Sequence, residues 1–163
     1  MFIYSIRAST VKFLGFILFT VLLVGFAVLS LDSSSVYASA APADVNYGGV
    51  GTPEAREAFV RSFGLEIDPD SLTEESFTMP ESFDRVILGY NELQKKQGLD
   101  LSKYAKKRVT RYTWRVTNYN ADGEVYVNLF VFRSTVVACD VSSADPEGFV
   151  VPLTLVEPGM LKG

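Results

Sequence analysis

The sequence predicts an α+β protein, with an N-terminal transmembrane helix followed by a small two-layer domain of two helices and a three-stranded, or slightly larger, antiparallel sheet. Three observations predict it. Residues 13–31 form an apolar run without a charged side chain, residues 82–97 repeat apolar side chains at helical spacing, and three later segments alternate apolar and polar residues in period two.

The run at 13–31 is long enough, at about 1.5 Å of rise per residue, to cross a hydrocarbon core of roughly 30 Å. Arg7 and Lys12 precede it and Asp32 follows. The positive-inside bias therefore predicts a single-pass signal-anchor in the cell membrane, with residues 1–12 cytoplasmic and the rest extracellular. The alternative is secretion after cleavage near Ala38 or Ala40, where small residues suit a signal peptidase. Residues 32–51 are rich in Ser, Ala, Pro and Gly and read as a flexible linker.

An extracytoplasmic domain is predicted over 52–145, with 146–163 as a C-terminal tail. Thr52, Pro53 and Glu54 supply an N-cap, a proline at the first helical position and an early acid, and Gly64 supplies a stop. A first helix over 53–63 follows. Residues 65–79 are acidic around Pro69 and predict short extended pieces joined by a turn. In residues 82–97, Phe83, Val86, Ile87, Tyr90 and Leu93 share one face, and Gly98 ends the helix.

Residues 107–118, 124–132 and 136–142 read as strands, joined by turns at 120–123 and 133–135. Pairing Tyr119 with Glu124 sets Tyr112, Trp114 and Val116 opposite Val131, Leu129 and Val127, and a three-residue second turn extends that apolar face to Val137, Cys139 and Val141. The helix over 82–97 is expected to cover this face.

Composition limits the chemistry. The chain has no histidine, which excludes Ser-His-Asp and Cys-His catalysis and His-ligated metals. Its single cysteine, Cys139, forbids an intrachain disulfide. Of 15 basic residues, Arg7 and Lys12 lie before the apolar run, while all 19 acidic residues lie after it, so the exported part is more acidic than the chain's net −4. This argues against nucleic-acid binding. Asp68-Pro69-Asp70 gathers hard oxygens, but Thr73 and Met79 stand where a helix-loop-helix calcium site needs a glycine and a bidentate acid. No metal or cofactor is expected.

The candidate partner-binding face is the other side of the sheet: Arg111, Arg115, Tyr126, Asn128, Phe130 and Phe132. In the predicted register Arg115, Asn128 and Asp140 form one cross-strand row. Arginines interleaved with aromatics suit an anionic or peptidic partner, which in a cell envelope means an envelope protein or an anionic wall polymer. The bland alternative is a solvated sheet face in which arginines lie over neighbouring aromatics and the apolar residues 149–161 cover the rest.

The stretch YNELQKKQGLDLSKYAKKRVTRYTWRVTNY, followed by GEVYVNLFVF and CDVSS, resembles a bacterial family of small single-span exported proteins classed only as a domain of unknown function. The opening MFIYSIRASTVKF is similar as well. The resemblance implies an envelope protein and carries no catalytic residues. It leads one to expect an Asp-Gly type turn where Arg133-Ser134 stands. The helix, the strand through Tyr112 and Val116, and the Asp122-Gly123 turn are also similar in layout to PepSY-type domains, which implies regulation or inhibition of an envelope peptidase. Together these readings predict a membrane-anchored extracytoplasmic binding or sensing module. The alternatives are a PepSY-like regulator and an enzyme working without histidine.

Overall fold

The structure, a computed structural model, describes residues 45–145 and 147–162. The apolar run at 13–31 and the cleavage positions Ala38 and Ala40 lie outside them. Among the described residues, no helix is long and apolar enough to cross a membrane.

Two α-helices flank one sheet. Helix α1 spans Pro53–Arg61: Thr52 caps it by accepting from the Ala55 N–H, and Pro53 stands in the first turn. Helix α2 spans Arg85–Lys95 and is capped by Asp84, whose side chain accepts from Val86 and Ile87. Beyond each helix stands a glycine in the left-handed region, Gly64 at φ +81° and Gly98 at φ +80°, as the sequence predicts.

The sheet has five strands, which corrects the expected three. They are β1 (Ile67–Thr78), β2 (Arg108–Val116), β3 (Val125–Phe132), β4 (Thr135–Ser143) and β5 (Val150–Pro152), in spatial order β1-β2-β3-β4-β5. Every neighbouring pair is antiparallel. Strand β1 comes from the acidic segment. Its alternation is faint because it is an edge strand, and because a register shift between Asp68 and Thr73 takes Pro69 out of the ladder. Strand β5 comes from the expected tail.

The layering also differs from expectation, because the two helices lie on opposite faces. Val60, with Phe59 and Phe63 beside it, packs with Tyr112, Trp114, Val127, Leu129 and Val141. Tyr90 packs with Val109 and Ala138, against Phe130 and Phe132. The arrangement is therefore three layers rather than two, and α2 covers the face opposite the one predicted. Polar groups decide this. Tyr90 needs a partner for its hydroxyl, and Asp140 on the second face provides it.

The β2–β3 register is offset by two residues from the predicted one, with Tyr112 opposite Leu129 and Val116 opposite Val125. Residues beyond Val116 leave the hairpin for other partners. Asn118 donates to the Gly64 carbonyl and accepts from the Glu66 N–H, Asn120 N–H donates to Met160, and Tyr119 bridges to Leu161. A two-residue offset preserves parity, so the β2 and β3 side chains keep their predicted faces; Val137 does not, because the β4 bulge turns it to the face of Tyr90 and Ala138. The second turn contains two residues, Arg133 and Ser134, and a bulge at Val137 restores the predicted pairs Leu129–Cys139 and Val127–Val141. Arg133 adopts φ +58°, the conformation for which glycine is expected.

Both ends of the described chain join the core. The Tyr47 carbonyl accepts from Val136 and the Val50 N–H donates to Ser134, so residues expected in the linker run beside the start of β4 with Val50 buried. Leu153, just after β5, is also buried.

Candidate functional site

The second face is built from alternate residues of all five strands. With Asp84 fixing the start of α2, Tyr90 points at the sheet, and its hydroxyl donates to Asp140 Oδ2 at 2.6 Å. Asn128 Nδ2 donates to Asp140 Oδ1 at 2.9 Å and lies 3.1 Å from Ser142 Oγ. The Thr113 hydroxyl completes the row by donating to Asn128 Oδ1 at 2.8 Å. Thr113, Asn128 and Asp140 are cross-strand neighbours.

Asp140 is only 1% exposed. Burial pushes its carboxyl up to about 6, although the bonds from Tyr90 and Asn128 and the charge of Arg111 hold it down. Burial raises the Tyr90 hydroxyl as well, with the neighbouring carboxylate adding to the effect. A carboxyl sealed beneath a helix meets no ligand, so this row is a clamp between α2 and the sheet.

A second set of polar groups holds the C-terminal half of α2. Gln94 Oε1 accepts from the Cys139 N–H at 3.0 Å, and Gln97 Nε2 donates to the Cys139 carbonyl at 2.6 Å. These side chains pair with β4 where β5 does not reach, since β5 meets only Asp140, Val141 and Ser142. Asn91 accepts from the Leu101 N–H and donates to Asp100. Bonds from Asn91 and Ser102 lower Asp100 to about 2.

The six predicted residues do not stay together. Asn128 is buried in the clamp. Phe130 packs against Tyr90 and Phe77, with ring centroids at 5.9 and 6.0 Å, and Phe132 packs against Tyr104 at 5.6 Å. Arg111 keeps 12% of its side chain exposed and pairs with Glu75 at 2.6 Å. Burial lowers its pKa. Arg115 is exposed and Tyr126 half-buried, and the two are cross-strand partners. The Arg115 side chain is 46% exposed and pairs with Asp68 and Glu124. Tyr126 donates to Glu124 at 2.7 Å. The predicted row of Arg115, Asn128 and Asp140 is corrected by the same two-residue offset: Arg115 aligns with Tyr126 and Ser142.

Residues 60–131 match DUF4830, a domain of unknown function. The match runs from the end of α1 through most of β3, so it includes Tyr90, Arg111, Arg115, Tyr126, Asn128 and Phe130 but stops before Phe132 and Asp140. It agrees with the expected resemblance to an uncharacterised family, and no PepSY-type domain is found. No curated protein and no solved structure matches the chain.

The network involves Tyr90, which sequence reasoning assigned only to packing, and Gln94 and Gln97, to which it gave no role. Tyr90, Gln94 and Gln97 lie at helical spacing on the stripe read as apolar, and two buried amides on such a stripe are the signal that it meets backbone rather than a purely apolar layer. Among the described residues, no three His, Cys, Asp or Glu side chains are placed to hold a metal ion.

Proposed function

We propose that the protein is a binding module tethered to the cell membrane and displayed on its extracytoplasmic side, with Arg115 and Tyr126 at the centre of its contact surface. The location rests on sequence: residues 13–31 carry no charge, and Arg7 and Lys12 precede them. The observation that supports the contact surface is the division of the second sheet face. Tyr90 of α2 packs on Phe130 and Tyr104 on Phe132, while Arg115 stands 46% exposed between Asp68 and Glu124. Two acids flank the guanidinium beside a half-buried phenol, so a partner meets a positioned donor and an aromatic edge at low entropic cost. Peptidic groups fit that pair, since a carbonyl can accept from the guanidinium without adding a third negative charge beside Asp68 and Glu124.

In-cell photo-cross-linking tests the reading. A photoreactive phenylalanine at Tyr126 is expected to capture a discrete partner that Arg115→Glu abolishes, whereas the same probe at Phe132 captures none. Equal capture at both positions, or none at Tyr126, overturns it. Protease added to intact cells is expected to remove the folded part of the membrane-bound chain; full protection contradicts the location.

A further inference from the structure

The two edges of the sheet are treated differently. Strand β5 is three residues long, whereas β1 offers a regular edge over residues 73–78, where each residue pairs in sequence with β2 and no shift interrupts the ladder. That stretch is about 20 Å long at the usual strand rise. Met79 N–H donates to Lys107 in the same ladder, so alternation turns the backbone of Glu74, Ser76 and Thr78 away from β2. Among the described residues, no hydrogen bond reaches those outward groups. The stretch contains no lysine, proline or bulge, and the charges it does carry are acidic.

Its charge has one sign. Strand β1 carries Asp68, Asp70, Glu74 and Glu75 with no basic residue. Asp68 and Glu75 are paired with Arg115 and Arg111, while Glu74 and Asp70 form no ion pair among the described residues. Acidic charge along an open edge disfavours a second copy of the same strand. It equally disfavours residues 32–44 of this chain, which carry two acids and no base. It favours a basic strand. We infer that β1 is a docking edge for an extended peptide with lysine or arginine at alternate positions, which adds to the sheet as a sixth antiparallel strand and sets a basic side chain opposite Glu74. This inference is independent of the Arg115–Tyr126 surface.

The full chain in nanodiscs of zwitterionic lipid allows a direct test with a labelled peptide of alternating lysine and valine. The account expects salt-sensitive binding of this peptide, none of its glutamate–valine counterpart, and new exchange protection at the Glu74, Ser76 and Thr78 amides. Ser76→Pro removes an outward donor and the Ser76–Thr110 side-chain bond at 2.8 Å but no backbone bond to β2, and is expected to weaken binding about tenfold. If that variant does not fold, amide exchange in the unaltered chain decides. Absence of binding, equal affinity for the Ser76→Pro variant, protection at other sites, or amides already protected in the free protein overturns the inference.

Discussion

The Tyr90 hydroxyl donates to Asp140 at 2.6 Å, joining the middle of α2 to the strand next to the β5 edge. Both residues are buried, and the carboxylate shares its remaining oxygen with Asn128. Because this contact needs one face and one helical phase, it specifies where α2 docks. Tyr90→Phe keeps the ring against Phe130 but removes a donor from a buried acid. The expected loss is about 1–3 kcal/mol in guanidinium unfolding followed by Trp114 fluorescence. The Asp140 carboxyl should also rise further, since Tyr90 holds it down, and carboxyl NMR reads that shift.

Asp140 makes stability depend on pH. Its folded value of about 6 lies above the ordinary 3.8, so the native state binds the proton more readily than the unfolded chain. The group's favourable contribution is fully present below about pH 4 and is lost as pH rises through about 6, a fall of about 3 kcal/mol. Asp140→Asn retains an acceptor for Tyr90 and is expected to flatten the pH profile between those values. Unfolding midpoints measured across that range check it.

Gln97 ties two elements to one strand, donating to the Cys139 carbonyl and accepting from the Thr154 N–H at 3.3 Å. Gln97→Ala leaves a buried carbonyl unpaired. We expect a loss of about 2 kcal/mol and faster exchange of the Thr154 amide, read by hydrogen exchange.

Arg56 lies on the other face, 8% exposed, with its guanidinium 4.0 Å from the Tyr112 ring centroid and Nη1 donating to Gly51 at 3.1 Å. Arg56→Lys keeps the charge but loses the planar stack and fork, and should cost about 1 kcal/mol in thermal unfolding. Arg56→Ala should cost more, because the aliphatic stem is lost as well.

Features set by local chemistry were readable in the sequence. Thr52 with Pro53, Gly64 and Gly98 marked helix ends, and alternation along β2, β3 and β4 assigned side chains to their faces except at Val137, which a bulge turns over. Features set by distant partners were not. Tyr119 looks like a hairpin residue until Leu161 is beside it, and that pairing caused the two-residue register offset. Strand β1 shows little alternation because an edge strand with a bulge buries few side chains. The helix assignment went to the wrong face because Val86, Ile87 and Leu93 suit any apolar surface. Only Tyr90, Gln94 and Gln97 distinguish the two faces, through Asp140 and the Cys139 backbone. The same placement of α2 separated the candidate residues, sealing Asn128 and withdrawing Phe130 while leaving Arg115 outside.

Solvent paramagnetic relaxation by a soluble gadolinium chelate measures the division of that face without substitution. Strong relaxation is predicted for the Arg115 side chain, 46% exposed, and weak relaxation for the Phe130 ring, which Tyr90 and Phe77 flank. Equal relaxation of the two side chains would contradict it, placing α2 elsewhere and reopening the whole face to solvent.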